Sequence, residues 1–427
     1  MQRILTTDTN FSEQILLLDR RYLPRPEVQS TVAEILQSLE QTGDQALLDW
    51  TTKFGGPELQ ADQLRIDPER CKAAWKSLPE KQKDALRYAH QNIQQFAEAS
   101  LRKSWSQKNA EGAKVGERYT AFDRVGIYVP GGSAPLVSTA LMTVTLAAVA
   151  QVPQIVVCTP SHAEQPLNPA LLAALHLAGA HQVFQIGGAQ AIAAMAVGTA
   201  TIPAVQKIFG PGNAYVMEAK RQVFGRVAVD LLPGPSEIMI IADGQAEPDW
   251  VAADMVAQAE HGADSIAVVV SPSGKLLDNV ERAIEKQLQS RQRTQQLQGS
   301  LNNASLLVQT QTLEEAFEIA NQFAPEHLSL AVQKPKAAIS SITTAGAIFV
   351  GGISPVAAGD YLAGPSHELP TGGAGKSFAG LTVDQFQRRT SIVEYTPAAL
   401  KKIRSHITTL CELEGLDGHA YSVSTRI

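Results

Sequence analysis

The sequence predicts an α/β protein built as two doubly wound lobes with mainly parallel sheets, plus small helical N- and C-terminal segments. Three observations carry this reading. The chain has 427 residues, too many for one ordinary core. From residue 125 onward short β-branched runs alternate with helical stretches, the texture of right-handed βαβ units. Three glycine-bearing loops directly follow predicted strands, as they do where an open α/β sheet turns into its helices.

Composition narrows the class. Hydrophobic residues make up 44% and charged residues 18%, which fits a well-buried globular protein and excludes a disordered one. The net charge of −6 comes with no cluster of Lys and Arg, so nucleic acid is not expected as a partner. Cys71, Cys158 and Cys411 lie far apart and form no CxxC pair, so neither a disulfide framework nor a thiolate zinc site is expected. The opening residues lack the layout of a secretory or transit signal, and the expected location is the cytoplasm. Residues 125–161 carry no charge, but Pro130-Gly131-Gly132 and Pro153 interrupt them and Ser138, Thr139, Thr143 and Thr145 dilute them. A buried strand, loop and helix suit that stretch better than a membrane span.

In chain order, the first 120 residues read mainly as helices, with apolar residues at helical spacing in 32–36 and 85–89. Strands follow near 125–129, 154–158, 182–186, 207–209, 228–232 and 237–241. A second alternating set lies near 267–270, 305–308, 329–332 and 347–350. A glycine-rich, loop-like stretch follows Gly351, and a helical tail begins at Pro397. These sets make two incomplete Rossmann-like lobes.

The glycine loops are Pro130-Gly131-Gly132-Ser133, Gly187-Gly188-Ala189-Gln190 and Gly210-Pro211-Gly212-Asn213. Each stands where the carboxyl end of a strand and the unpaired N–H groups of the next helix can hold an anion. Spacing alone fits equally a set of glycines that only permit tight turns. None is a GxGxxG, because Tyr215 stands where the third glycine would fall. Gly375-Lys376-Ser377 is no P-loop either, since Pro370 occupies the first glycine position.

Four places carry candidate chemistry. Residues 248–262 read as one helix, at whose carboxyl end Gln258 and His261 share a face, either as metal ligands or as surface polar residues. Glu326-His327 sits where a helical stretch enters a strand, which suits acid/base work or a simple capped helix end. Asp360 and His367 lie within a Gly/Pro-rich loop of the kind that lines sites. Glu414 and His419 belong to an acidic tail segment that could equally be solvated surface.

Together, stretches 125–135, 187–191, 209–221, 234–237, 258–262, 324–328, 358–370 and 414–420 closely resemble the histidinol dehydrogenase family, in that family's order. The resemblance implies a Zn²⁺ site from Gln258, His261, Asp360 and His419. It implies Glu326 and His327 as catalytic residues, and substrate contacts from Ser236, Gln258, His261, His327, Asp360, His367, Glu414 and His419. It further implies NAD contacts from Tyr128, Gln190 and Asn213, and a homodimer whose tail lends His419 and Glu414 to the neighbouring subunit's site.

The implied reaction takes L-histidinol through a retained histidinaldehyde to L-histidine with two hydride transfers to NAD⁺, the last steps of histidine biosynthesis. His327 would take the alcohol proton, and Glu326 would activate the water that hydrates the aldehyde. Hydration removes the need for a nucleophilic cysteine. The expected division is an extension at 1–22, a first lobe from 23–130 and 237–376 bearing the metal and catalytic residues, a second, NAD-side lobe at 131–236, and a tail domain at 377–427. The competing classes are a zinc-dependent hydrolase using water activated by Glu326 and a non-catalytic two-lobed binding protein.

Overall fold

Runs of buried β-branched residues become the central strands of two parallel sheets, as expected for strands covered on both faces. Glu237–Ala242 and Ile266–Ser271 are buried at every position. The computed structural model describes all residues except 10, 12–23, 132–135, 163–166 and 292–293. Most of the 1–22 extension and part of the loop at 130–133 therefore lie outside the described residues.

From edge to edge the first sheet runs Arg65–Ile66, Gln182–Phe184, Gln154–Cys158, Arg124–Tyr128, Lys207–Phe209 and Ala228–Val229. The second runs Gln2–Leu5, Ser305–Gln309, Ile266–Ser271, Glu237–Ala242, His327–Ala331 and Ala347–Val350. All pairings in the two are parallel except that of Arg65–Ile66. Leaving aside the outer strand beside Gln182–Phe184 or Ser305–Gln309, both sheets place their chain-order strands third, second, first, fourth, fifth. That is the doubly wound order, with a switch point between the first and fourth strands.

Helices cover both sheets. Val28, Val32, Ile35 and Leu39 form the apolar stripe of Pro26–Thr42 and pack with Ile192, Met195 and Ile208 under the first sheet. Cys71 of Pro68–Ser77 and Ile93 of Glu80–Ser100 pack with Val125, Ile155 and Leu171 on its other side. The helices within 26–100 and the strand Arg124–Tyr128 thus belong with the first sheet, whereas the sequence placed 23–130 with 237–376. The reason is twofold: Arg124–Tyr128 is the central strand of the first sheet, and the second is already covered by Pro248–Ala259, Gly274–Leu288 and Leu313–Phe323.

A small antiparallel sheet, Gln387–Glu394, Lys114–Ala121 and Trp105–Lys108, stands apart. The approach to it is anchored by Leu381, Val383 and Phe386 in the first core, where the Phe386 and Phe209 rings stack at 3.9 Å. Beyond it, Pro397–Glu414 buries only Ala399 and Cys411, and Asp417–Ser424 buries nothing. Among the described residues no helix is long and apolar enough to cross a membrane.

The two switch points differ. In the first sheet the chain leaves Lys207–Phe209 through Gly210, whose φ is +108° and whose added Cβ would stand 2.0 Å from the Tyr128 carbonyl oxygen. Only glycine permits that crossing. In the second sheet the carboxylate of Asp243 links the chain beyond the two switch strands, accepting the N–H of Gln245 at 2.9 Å and of Gln333 at 2.7 Å.

Candidate active site

The histidines and carboxylates gather at the amino end of the second sheet, opposite the end where doubly wound folds usually bind ligands. Glu237–Ala242 and His327–Ala331 start side by side, with Ile238 opposite His327. Ser236 and Glu237 therefore meet Glu326 and His327 across the strand pair. Glu326 Oε2 accepts the Ser236 hydroxyl at 2.7 Å and the Glu237 N–H at 2.9 Å. Ser236 Oγ accepts in turn from Gln258 Nε2 at 3.0 Å, so the helix Pro248–Ala259 delivers Gln258 to the same spot.

His327 is oriented by one bond. Its Nδ1–H donates to the Glu237 carbonyl oxygen at 3.1 Å, which leaves Nε2 as the bare nitrogen. That Nε2 is buried without a hydrogen-bond partner and lies 3.7 Å from Asp360 Oδ1. Burial holds the imidazole below its usual pKa, against the opposing pull of Asp360, so His327 is neutral at pH 7. Glu326 Oε2 is 3.5 Å from the other ring nitrogen. Burial pushes Glu326 up to about 8, opposed by the Glu237 N–H and Ser236 hydroxyl and reinforced by Asp360 and Glu368.

Asp360 comes from the short helix Val356–Tyr361, whose Val356 N–H bonds Asp254 of the neighbouring helix. Burial raises Asp254 to about 6, and nearby Asp360 adds to the rise. The Asp360 backbone oxygen accepts from His367 Nδ1 at 3.0 Å. His367 Nε2 stands 3.1 Å from Thr139 Oγ1 and 3.6 Å from Glu368 Oε1. Burial alone would lower His367, but Glu368 and Asp360 outweigh it and its pKa is raised. His261 goes the other way: burial lowers it, Asp360 opposes, and His327 and His367 add repulsion. A cavity of about 530 Å³ opens here, lined among others by His327, Phe349, Asp360, Pro365, His367 and Leu369.

Ser236, Gln258, His261, Glu326, His327, Asp360 and His367 are thus neighbours. Glu414 and His419 are not: both are exposed on the tail helices, and among the described residues no hydrogen bond or ion pair ties either to the cluster. Nor, among the described residues, are three His, Cys, Asp or Glu side chains arranged to hold a metal. Tyr128, Gln190 and Asn213 surround the other switch point. The Tyr128 hydroxyl accepts the Gly188 N–H at 3.1 Å, and burial pushes that phenol up to about 12. Gln190 Oε1 is buried without a partner. Asn213 Oδ1 caps Ala214–Val223 by accepting from Tyr215 and Val216, each at 3.1 Å.

The profile of the histidinol dehydrogenase family matches residues 18–427. The chain belongs to that family. It is 44% identical to a histidinol dehydrogenase of Synechococcus sp. over 93% of its own length and 92% of that protein. A histidinol dehydrogenase of Thermosynechococcus vestitus is 43% identical with 100% of both chains covered. The crystal structure of histidinol dehydrogenase from Elizabethkingia anophelis superposes with a TM-score of 0.94 at 33% identity, covering 100% of this chain and 98% of that one.

Sequence reasoning missed three members of this cluster. Glu237 is fully buried, and its Oε1 accepts the N–H of Glu326 at 3.3 Å and of Gly372 at 3.0 Å, tying the two strands to the following loop. Glu368 sits beside His367, and Thr139 reaches it from the first lobe. Glu237 and Thr139 left no local signal because their partners lie 89 and 228 positions away, whereas Glu368 could have been found as the neighbour of His367.

Proposed function

We propose that this chain is an NAD-dependent, zinc-assisted dehydrogenase that takes L-histidinol through L-histidinaldehyde to L-histidine, reducing two NAD⁺ at the end of histidine biosynthesis. The observation that carries this reading is the bare, buried Nε2 of His327, set by the Glu237 carbonyl beside Glu326 and Asp360. In the alcohol step Nε2 takes the hydroxyl proton while the carbinol C–H pair departs as hydride. In the aldehyde step Glu326 takes a proton from the water that adds to the carbonyl carbon, the protonated His327 returns its proton to the carbonyl oxygen to complete the diol, and the diol then gives up the second hydride as a hydroxyl proton passes back to His327 Nε2. Bound NAD⁺ supplies the hydride acceptor in each step.

Tyr128, Gln190 and Asn213 are the residues proposed to hold that dinucleotide. The unpartnered Gln190 Oε1 and the helix starts at Gly188 and Ala214 support this. Asn213 spends its oxygen on the cap, so its amide N–H groups remain to donate.

Gln258, His261 and Asp360 fit Zn²⁺ by chemistry, offering an amide oxygen, an imidazole and a carboxylate without cysteine. Gln258 donates through Nε2 to Ser236, which leaves its carbonyl oxygen for a ligand bond. Zinc held there would orient an imidazole- and amine-bearing substrate. The fourth ligand, His419, and the substrate contact Glu414 are proposed to come from a second copy. Exposed Leu410, Leu413, Leu416 and Tyr421 on tail helices that bury almost nothing support that homodimer. The buried free thiols Cys71, Cys158 and Cys411 suit a reducing, cytoplasmic setting.

NADH absorbance on mixing the protein, Zn²⁺, NAD⁺ and L-histidinol tests the proposal. A zinc-dependent hydrolase would use the same Glu326 and Asp360 and produce no NADH.

A further inference from the structure

Away from the catalytic cluster, the interior of the first lobe holds an ion pair for which the chemistry has no use. Lys220 is completely buried, the Asp230 side chain is 4% exposed, and the two are in contact. Lys220 Nζ also donates to the Gly210 carbonyl oxygen at 2.9 Å. The other Asp230 oxygen accepts the Gly210 N–H at 2.7 Å. Both polar groups of one peptide residue are thus held by the two halves of one ion pair.

Gly210 is the residue that crosses Tyr128 at the switch point and opens the loop 210–213, which ends at the capping Asn213. Lys220 lies on the helix that Asn213 caps, and Asp230 follows the edge strand, its own N–H bonded to Ile208 O at 3.1 Å. The pair therefore ties helix, edge strand and loop together at one point. Lys207, whose Nζ donates to Gln385 O at 3.3 Å, also faces Asp230, and Asp384 lies near Lys207.

A buried ion pair is poor evidence of stability, because well-packed apolar residues usually do as well. Its distinctive property is direction: it offers a fixed donor and a fixed acceptor to a backbone that no sheet ladder can satisfy. We propose that Lys220 and Asp230 are positioning residues that hold the 210–213 loop in its dinucleotide-binding form, so that the pair governs cofactor affinity and leaves histidinol binding untouched. This rests on the reading that Asn213 contacts NAD⁺.

The test is the full-length double variant Lys220→Met/Asp230→Leu, which removes both charges together and strands neither. NADH binding is measured by calorimetry, alongside thermal unfolding and separate KM values for NAD⁺ and histidinol. The expected result is a folded protein with NADH affinity and KM for NAD⁺ each worsened about tenfold, the scale of losing a residue behind a ligand contact, and kcat and the histidinol KM held within about twofold. NADH affinity within about twofold of the parent overturns the proposal, as does an equal loss for both substrates, the mark of a general structural role. Asn213→Ala separates the two readings. If it weakens NADH binding while the double variant does not, only the positioning role falls; if neither weakens binding, both fall. Should the double variant fail to fold, Asp230→Asn, which keeps side-chain shape, is judged by the same NADH criterion.

Discussion

His327 gives its Nδ1 proton to the backbone oxygen of Glu237, 3.1 Å away on the neighbouring strand, and this single bond decides which ring nitrogen is free to act as a base. Because Glu237 and His327 both open parallel strands held in register, the tautomer is set by the sheet itself. His327→Asn removes Nε2 while keeping a side-chain donor near Glu237 O. The alcohol step should slow by about 10²–10⁴-fold, the usual worth of a positioned base. Rapid-mixing measurement of the first NADH burst, beside histidinol affinity by calorimetry, checks that the loss falls on chemistry and not on binding.

Glu326 should show itself in the pH dependence of the aldehyde step. Burial raises its carboxyl to about 8, so the ionised form that can accept a proton grows as pH climbs toward that value. Oxidation of supplied histidinaldehyde should rise with pH and level off above about 8, whereas Glu326→Gln should lose that limb and spare the alcohol step. Equal losses in both half-reactions would contradict this assignment.

The same raised pKa has a stability consequence of opposite sign to that of a paired surface acid. The folded protein holds the Glu326 proton more tightly than the unfolded chain, so its contribution is fully present below the ordinary value of 4.5 and is lost as pH rises through about 8. Urea denaturation of metal-free protein should show the advantage of wild type over Glu326→Gln shrinking across that window.

Thr139 reaches His367 from the other lobe at 3.1 Å. Thr139→Val should weaken kcat/KM for histidinol about fivefold, the equivalent of about 1 kcal/mol for one hydrogen bond. Thr139→Ser should restore most of it, because the hydroxyl returns. Identical values for the Val and Ser variants would show that the contact contributes only packing.

Much of the fold was legible because parallel strands are written as short apolar runs: the buried 154–158 and 207–209 and the half-buried 347–350 fell where the sequence put them. Gln387–Glu394 was read as loop because seven of its eight residues are exposed and its order comes from pairing with Lys114–Ala121. That Arg124–Tyr128 joins the first sheet was hidden for a related reason, since a strand's position in a sheet is a long-range property. Glu326 and His327 stood out as an acid/imidazole pair at an element boundary, whereas Glu237 acts through its carboxylate and backbone on residues about ninety positions away and left no local trace. The placement of the cluster at the amino end of its sheet was likewise hidden, because it follows from the parallel register of Glu237–Ala242 and His327–Ala331, a long-range pairing.

Mixed dimers address the shared site. Inactive His419→Ala and inactive His327→Ala chains, once exchanged, should regain part of the activity, since one of the two sites in a hybrid would again be whole. No recovery after proven exchange would place each site within one chain.

The most direct measurement is the product balance when limiting L-histidinol is run to completion with excess NAD⁺, NADH being read by absorbance and the carbon product by NMR. Two NADH for each L-histidine, with no aldehyde released, is the expected result for a site holding both a bare His327 nitrogen and the buried Glu326 carboxyl. One NADH with free aldehyde, or none at all, would contradict it.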